Sequence, residues 1–222
     1  MKMLWYSVDY WYIMDFIILM IRWSYSLIKV YHGTNLSSAF DIWLHGIDLS
    51  KSLPNLDFGK GFYVTDNKRK AKERAFKKTN DYNRRNHCNE EAYLVEMYID
   101  ESQFDKMNVK SFKPRQKEWF DFVINNRMEL DFLKQHNITN HNKDNKYDIV
   151  CGEIADGSIA DIVNNIKFNM INIRDVNNDL IIPQTGDFYG IQYSFHTEKS
   201  LSCIKDISCV IIKSYKRERR WN

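Results

Sequence analysis

The sequence predicts an α+β domain, on three observations. Short apolar runs of strand character and segments of helical period alternate irregularly, which argues against a doubly wound parallel sheet. Glycine-rich turns separate the first strands and helices. The chain has 222 residues and 44% hydrophobic content, enough to bury one core with an extension. Residues 27–31 alternate as a strand, and residues 36–47 form a short helix stopped by Gly46. A glycine loop at Asp57-Phe58-Gly59-Lys60-Gly61 precedes a strand at 62–65, and Asp66 then caps a basic helix over 67–78. Residues 79–90 are polar and read as an exposed loop, followed by a strand over 92–99. Pro114 opens a helix with a broad apolar face of Trp119, Phe120, Phe122, Val123 and Ile124. Residues 137–146, rich in Asn and Lys, read as a loop, with His136 just before it and His141 within it both solvated. A buried strand over 148–152, a helix over 159–166 and strands over 192–196 and 208–215 complete the domain, with a helix capped by Thr197 between the last two.

This divides the chain into an apolar extension over 1–28, a domain over 29–215 and a solvated basic tail over 216–222. The extension is near-continuously apolar from Leu4 to Ile28 and reads as a helix packed on the domain or on a partner. A membrane helix needs about 20 largely apolar residues, and Asp15 and Arg22 fall inside this window. A membrane span is the second reading of the segment, and an over-extended reading-frame start, with Met14 and Met20 as alternative starts, is the third. It has neither the basic start nor the small-residue cleavage site of a secretory signal. A net charge of +3 gives no argument for a nucleic-acid or membrane partner. Cys88, Cys151, Cys203 and Cys209 have no metal-ligand or disulfide spacing, which points to a reducing cytoplasm and no metal.

Two motifs carry the chemistry. Tyr31-His32-Gly33-Thr34 and Asp57-Phe58-Gly59-Lys60-Gly61-Phe62-Tyr63-Val64-Thr65 each set a reactive ring among glycines at a strand edge. Glycine lets the backbone close on a flat ligand and adopt dihedrals other residues avoid. The glycine pair is neither a dinucleotide fingerprint, since Val64 stands at the third position, nor a P-loop. The order and residues of these motifs resemble the ADP-ribosyltransferase superfamily, in its His-Tyr-Glu branch of poly(ADP-ribose) polymerases and diphtheria-type toxins. From Tyr31 to Leu201 the chain is similar to a bacterial domain-of-unknown-function family, number 3990. The segments Trp119-Phe120-Asp121-Phe122-Val123-Ile124-Asn125-Asn126-Arg127, Tyr147-Asp148-Ile149-Val150-Cys151-Gly152-Glu153 and Gln192-Tyr193-Ser194-Phe195-His196-Thr197-Glu198 share that resemblance.

The resemblance implies a split antiparallel β-sandwich with peripheral helices, binding NAD as co-substrate. It implies that Tyr63 stacks on the nicotinamide and that the Gly33 backbone reads its carboxamide. His32 then holds a ribose hydroxyl, with Thr34 and Gly61 completing the site. The third catalytic element, a glutamate in that branch, falls on Gln192. Glutamine can hold the hydroxyl but brings no charge to an oxocarbenium-like transition state, and loss of one such group costs about 10²–10³ in rate. The implied activity is a mono-ADP-ribosyltransferase in a toxin-like or regulatory role. Its acceptor is a protein or nucleic acid, and it has a small helical partner or antitoxin. The alternatives are a non-catalytic NAD or ADP-ribose module and an NAD glycohydrolase. Glu198 reads as a first-turn helix residue, Asp156 as a cleft or cap residue, and His196 as sharing the face of Gln192.

Overall fold

The computed structural model describes residues 27–114, 116–155, 158–168, 170–172 and 189–212. The extension up to residue 26, Asp156 and the basic tail lie outside them. The strands are β1 (Leu27–Asn35), β2 (Phe62–Thr65), β3 (Ala92–Asp100), β4 (Val109–Ser111), β5 (Ile149–Glu153), β6 (Ile191–Phe195) and β7 (Ile204–Ile212). The helices are α1 (Leu36–His45), α2 (Lys68–Asn86), α3 (Lys117–Arg127), α4 (Leu130–Gln135), α5 (Ser158–Lys167) and α6 (Glu198–Leu201). The fold is α+β, with one seven-stranded sheet in the order β4-β5-β6-β2-β1-β3-β7. Every pairing is antiparallel except β4 with β5. Leu27 and Ile28 pair with Asp100 and Ile99, so the last two residues assigned to the extension belong to β1.

The sheet has one thin junction. β1 and β3 run together in continuous register from Leu27↔Asp100 to Asn35↔Ala92, but β1 and β2 share the single registered pair Tyr31↔Thr65. A cleft lined by His32 and Gly33 of β1 and by Phe62–Thr65 of β2 lies at this junction. One apolar cluster gathers Phe58, Phe112, Trp119, Phe120 and Phe122; a second gathers Val30, Val64, Val95, Met97 and Phe195. Burying each such side chain contributes roughly 1.5–3 kcal/mol. The apolar face expected of α3 is buried as predicted. Thr197 caps α6 through a capping box, and Gly46 ends α1 at φ 85°.

Several expectations change. In place of a split antiparallel sandwich the strands form one mostly antiparallel sheet. The helix expected from Pro114 begins at Lys117, behind Gln116, and the last strand begins at Ile204, four residues before the expected 208. The cap of α2 is Asn67, whose side chain accepts from Lys70 N at 3.1 Å; Asp66 instead accepts from Ile191 N at 2.9 Å and ties β2 to β6. The predicted loop over 79–90 is helical up to Asn86, and His87 terminates the helix in the left-handed region at φ 51°. Its buried stripe, Ala71, Ala75 and Thr79, is made of small residues, so no large apolar side chain announced it. Two short elements, β4 and α4, also lie where no element was expected.

Candidate functional site

The cleft at the β1–β2 junction has a volume of about 1260 Å³. That exceeds the ~300–1,000 Å³ common for small-ligand sites. His32 from β1, Tyr63 from β2 and Gln192 from β6 all line it, although the chain separates them widely. The β2–β6 register, with Thr65 opposite Gln192, brings the third of these to the first two.

His32 is held on two sides. Its Nδ1 donates to Tyr63 O at 2.7 Å across the junction, and its ring stacks on Phe62 at 4.6 Å. That bond leaves Nε2 as an acceptor. Burial, then the charge of Lys78, push its imidazole down to about 3, so the ring is neutral near pH 7. A neutral imidazole with a free acceptor nitrogen suits a hydroxyl donor.

Tyr63 closes the glycine loop. Its phenol donates to Gly59 O at 2.6 Å and accepts from Phe58 N at 2.9 Å. Burial, then the Asp57 charge, hold that phenol protonated well above its ordinary range. The ring stacks near Phe58, with His196 edge-on. The loop in turn rests on the 137–146 segment: a Cβ on Gly59, at φ 95°, would lie 2.9 Å from Asn142 O. Asn142 is fully buried, accepts from Tyr147 N and donates its own N–H to Asn126 Oδ1. The Asn-rich stretch therefore forms a bonded base for the loop.

Gly33 lines the cleft, but its lack of a side chain is demanded from behind. A Cβ there would lie 2.0 Å from Ala71 O, the backbone of α2. Gly61 also lines the cleft, and a Cβ there would meet Phe195 O and His196 Nδ1 at 2.7 Å. Thr34 is fully buried and donates to Asn35 Oδ1 at 3.4 Å; it forms no part of the cleft wall. His196 belongs to the core instead of the cleft: its Nδ1 donates to Lys60 O and its Nε2 accepts from the Ser194 hydroxyl, both at 2.8 Å. Burial pushes it down to about 4. Glu198 is exposed in the first turn of α6, as expected.

The arrangement adds a residue that the sequence reading passed over. Gln192 Nε2 donates to Asp57 Oδ2 at 3.0 Å, and Asp57 Oδ1 accepts from Arg127 Nε at 2.7 Å. A second nitrogen of the same guanidinium also meets that oxygen. Asp57, Arg127 and Gln192 all line the cleft. A carboxylate thus stands one hydrogen bond from the uncharged Gln192. Asp57 and Arg127 belong to the glycine-loop and Trp119–Arg127 segments, but residues 57, 127 and 192 meet only through the fold. A second missed feature is the cationic wall that Arg74, Lys77 and Lys78 of α2 present to the cleft. Among the described residues no cluster of His, Cys, Asp and Glu could hold a metal, and no helix is long and apolar enough to cross a membrane.

The family profile described as Protein of unknown function (DUF3990) matches residues 28–205. The chain belongs to that family. Comparison with curated proteins and with solved structures returns no match.

Proposed function

We propose that this protein is an NAD-dependent mono-ADP-ribosyltransferase working in the cleft at the β1–β2 junction. One observation carries the reading: His32, Tyr63 and Gln192, from three strands, converge on a single cleft with the Asp57 carboxylate bonded to Gln192. Within the one sheet, the single registered pair between β1 and β2 supports the split that the sequence resemblance implies. The nicotinamide ring lies against Tyr63, whose phenol is already committed to the loop and so contributes its face alone. Such aromatic contacts add roughly 0.5–1.5 kcal/mol beyond area burial. His32 Nε2 accepts from a ribose hydroxyl. Gln192 donates to Asp57 and keeps its amide oxygen for a second hydroxyl. As the nicotinamide–ribose bond breaks, positive charge grows on the sugar, and Asp57 supplies the opposing charge one bond behind Gln192.

A second reading, an NAD or ADP-ribose module without turnover, is favoured by one contact. Arg127 neutralises Asp57 in the resting cleft. Incubation with NAD labelled in the ADP-ribose part, with and without cell lysate, separates the readings. Transfer of label to a macromolecule supports the transferase; label released only as free ADP-ribose indicates glycohydrolysis; intact NAD retained on the protein indicates the module.

A further inference from the structure

Helix α2 carries more positive charge than the fold consumes. Nine of its 19 residues are Lys or Arg and two are acidic, whereas the whole chain has a net charge of +3. The remainder of the chain is therefore net acidic. Some of the helix charge is matched locally: Lys68 bonds Glu96, Arg69 and Lys70 flank Glu73, and Arg84 reaches Asp81. Among the described residues, no carboxylate pairs with Lys72, Arg74, Lys77, Lys78 or Arg85. Arg74, Lys77 and Lys78 recur at helical spacing on the cleft wall. They are close enough to act on one another and on the site: burial, then Arg74, lowers the Lys78 ammonium, and burial, then Lys78 and more weakly Arg74, lowers His32. Unmatched like charges held together are unfavourable until an anion joins them.

The extent of the array indicates which anion. The unmatched cations run from Lys72 to Arg85, about 20 Å of helix at 1.5 Å per residue. A nucleic-acid strand presents several phosphates over that length, at ~3.4 Å per strand in a duplex and more widely in an extended single strand. A dinucleotide has a single diphosphate, which one end of the array is enough to hold. Tyr82, half-buried on the cleft wall a turn beyond Lys78, adds a ring on which a base can stack. An acidic peptide would use the cations but not that ring. A paired base cannot reach into a cleft, so an unpaired strand is required.

We infer that α2 docks single-stranded nucleic acid by its phosphates and delivers it as the acceptor of ADP-ribose. The acceptor role rests on the transferase reading above; the docking does not. In the transfer, a base nitrogen or ribose oxygen of the strand bonds to the anomeric carbon of the nicotinamide ribose as the carbon–nitrogen bond breaks. The electron pair leaves with the pyridinium nitrogen as neutral nicotinamide, and the attacking group's proton passes to solvent.

The test uses the full chain and labelled single-stranded DNA and RNA of about 20 nucleotides, with binding read by fluorescence anisotropy at salt from about 50 mM to about 200 mM. Binding should weaken with salt at a slope near −0.7 per phosphate contacted. Lys77→Glu with Arg85→Glu should weaken it at least tenfold, while Lys77→Arg with Arg85→Lys retains it. Absence of binding at the lowest salt, equal binding of polyglutamate, or tighter binding of a duplex would each overturn the proposal. With NAD added, the bound strand should gain the mass of an ADP-ribosyl group. Nicotinamide release beside a bound but unmodified strand overturns the acceptor role alone. A bound strand with uncleaved NAD overturns the transferase reading and leaves the docking surface standing.

Discussion

Replacing Asp57 with Asn removes the charge beside Gln192 while keeping the shape of the side chain. Two effects follow, and they can be separated. Asp57 and Arg127 are 17% and 18% exposed, so the variant leaves a largely buried guanidinium without its counter-charge. Breaking a buried pair by one partner costs about 3–5 kcal/mol, and the residual solvent contact here puts the expectation near the lower figure. For a domain of this size ~3 kcal/mol lowers Tm by roughly 6–12 °C. The double change Asp57→Asn with Arg127→Gln removes both charges and should recover most of that loss. Catalysis should behave differently. If Asp57 opposes the charge developing on the sugar, nicotinamide release should fall about 10²–10³-fold in the single variant and stay low in the double. Calorimetry and a nicotinamide assay on the three proteins resolve the two effects. Release that stays at the wild-type rate in folded Asp57→Asn would refute the assignment of Asp57 as the charged element.

The remaining predictions concern the frame of the cleft. Tyr63→Phe keeps the ring but strands Gly59 O and Phe58 N; at about 1–3 kcal/mol per unsatisfied group it should destabilise the protein and loosen NAD binding, measured by urea melts and calorimetric titration. Weakened NAD binding without any loss of stability would mean that the phenol contacts ligand instead of loop. Gly33→Ala sets a Cβ against the α2 backbone and should cost about 1–3 kcal/mol or more, an expectation contradicted by an unchanged urea midpoint. His32 and His196 are held at about 3 and about 4, below the ordinary 6.5. The unfolded chain then takes up protons that the native state refuses, so stability falls as pH drops below about 6.5, down to about pH 4 for His196 and about pH 3 for His32. His196→Gln should flatten the urea midpoint over that window, and an unaltered slope would show that His196 titrates normally.

How much the sequence disclosed follows from how local each signal is. The strand Phe62–Thr65, the Gly46 stop, the Thr197 cap and the buried face of α3 were legible because each is written within a few neighbouring residues. The second half of α2 was not, because Thr79 is its one buried residue and the rest is rich in Asn and Arg, a composition shared with loops. β4 has three residues and pairs in parallel with a strand about forty positions away, which leaves no period to read. At the site, His32, Tyr63 and Gln192 were legible as residue types in recognisable motifs. Their partners were not. Asp57 reaches Gln192 only because the fold brings the glycine loop to hydrogen-bond distance of β6, and Thr34 is missing from the cleft wall because it is fully buried. The cationic helix was hidden for a related reason: a chain total of +3 averages it against an acidic remainder.

The central claim is that this cleft breaks the nicotinamide–ribose bond with Gln192 as its third element. The most direct measurement is nicotinamide release from NAD by the wild type, Gln192→Ala and Gln192→Glu. The account predicts turnover in the wild type, loss of most of it in Gln192→Ala, and equal or faster release in Gln192→Glu. An inert wild type with turnover only in Gln192→Glu would instead establish the binding module. Release by Gln192→Ala at the wild-type rate would contradict the account.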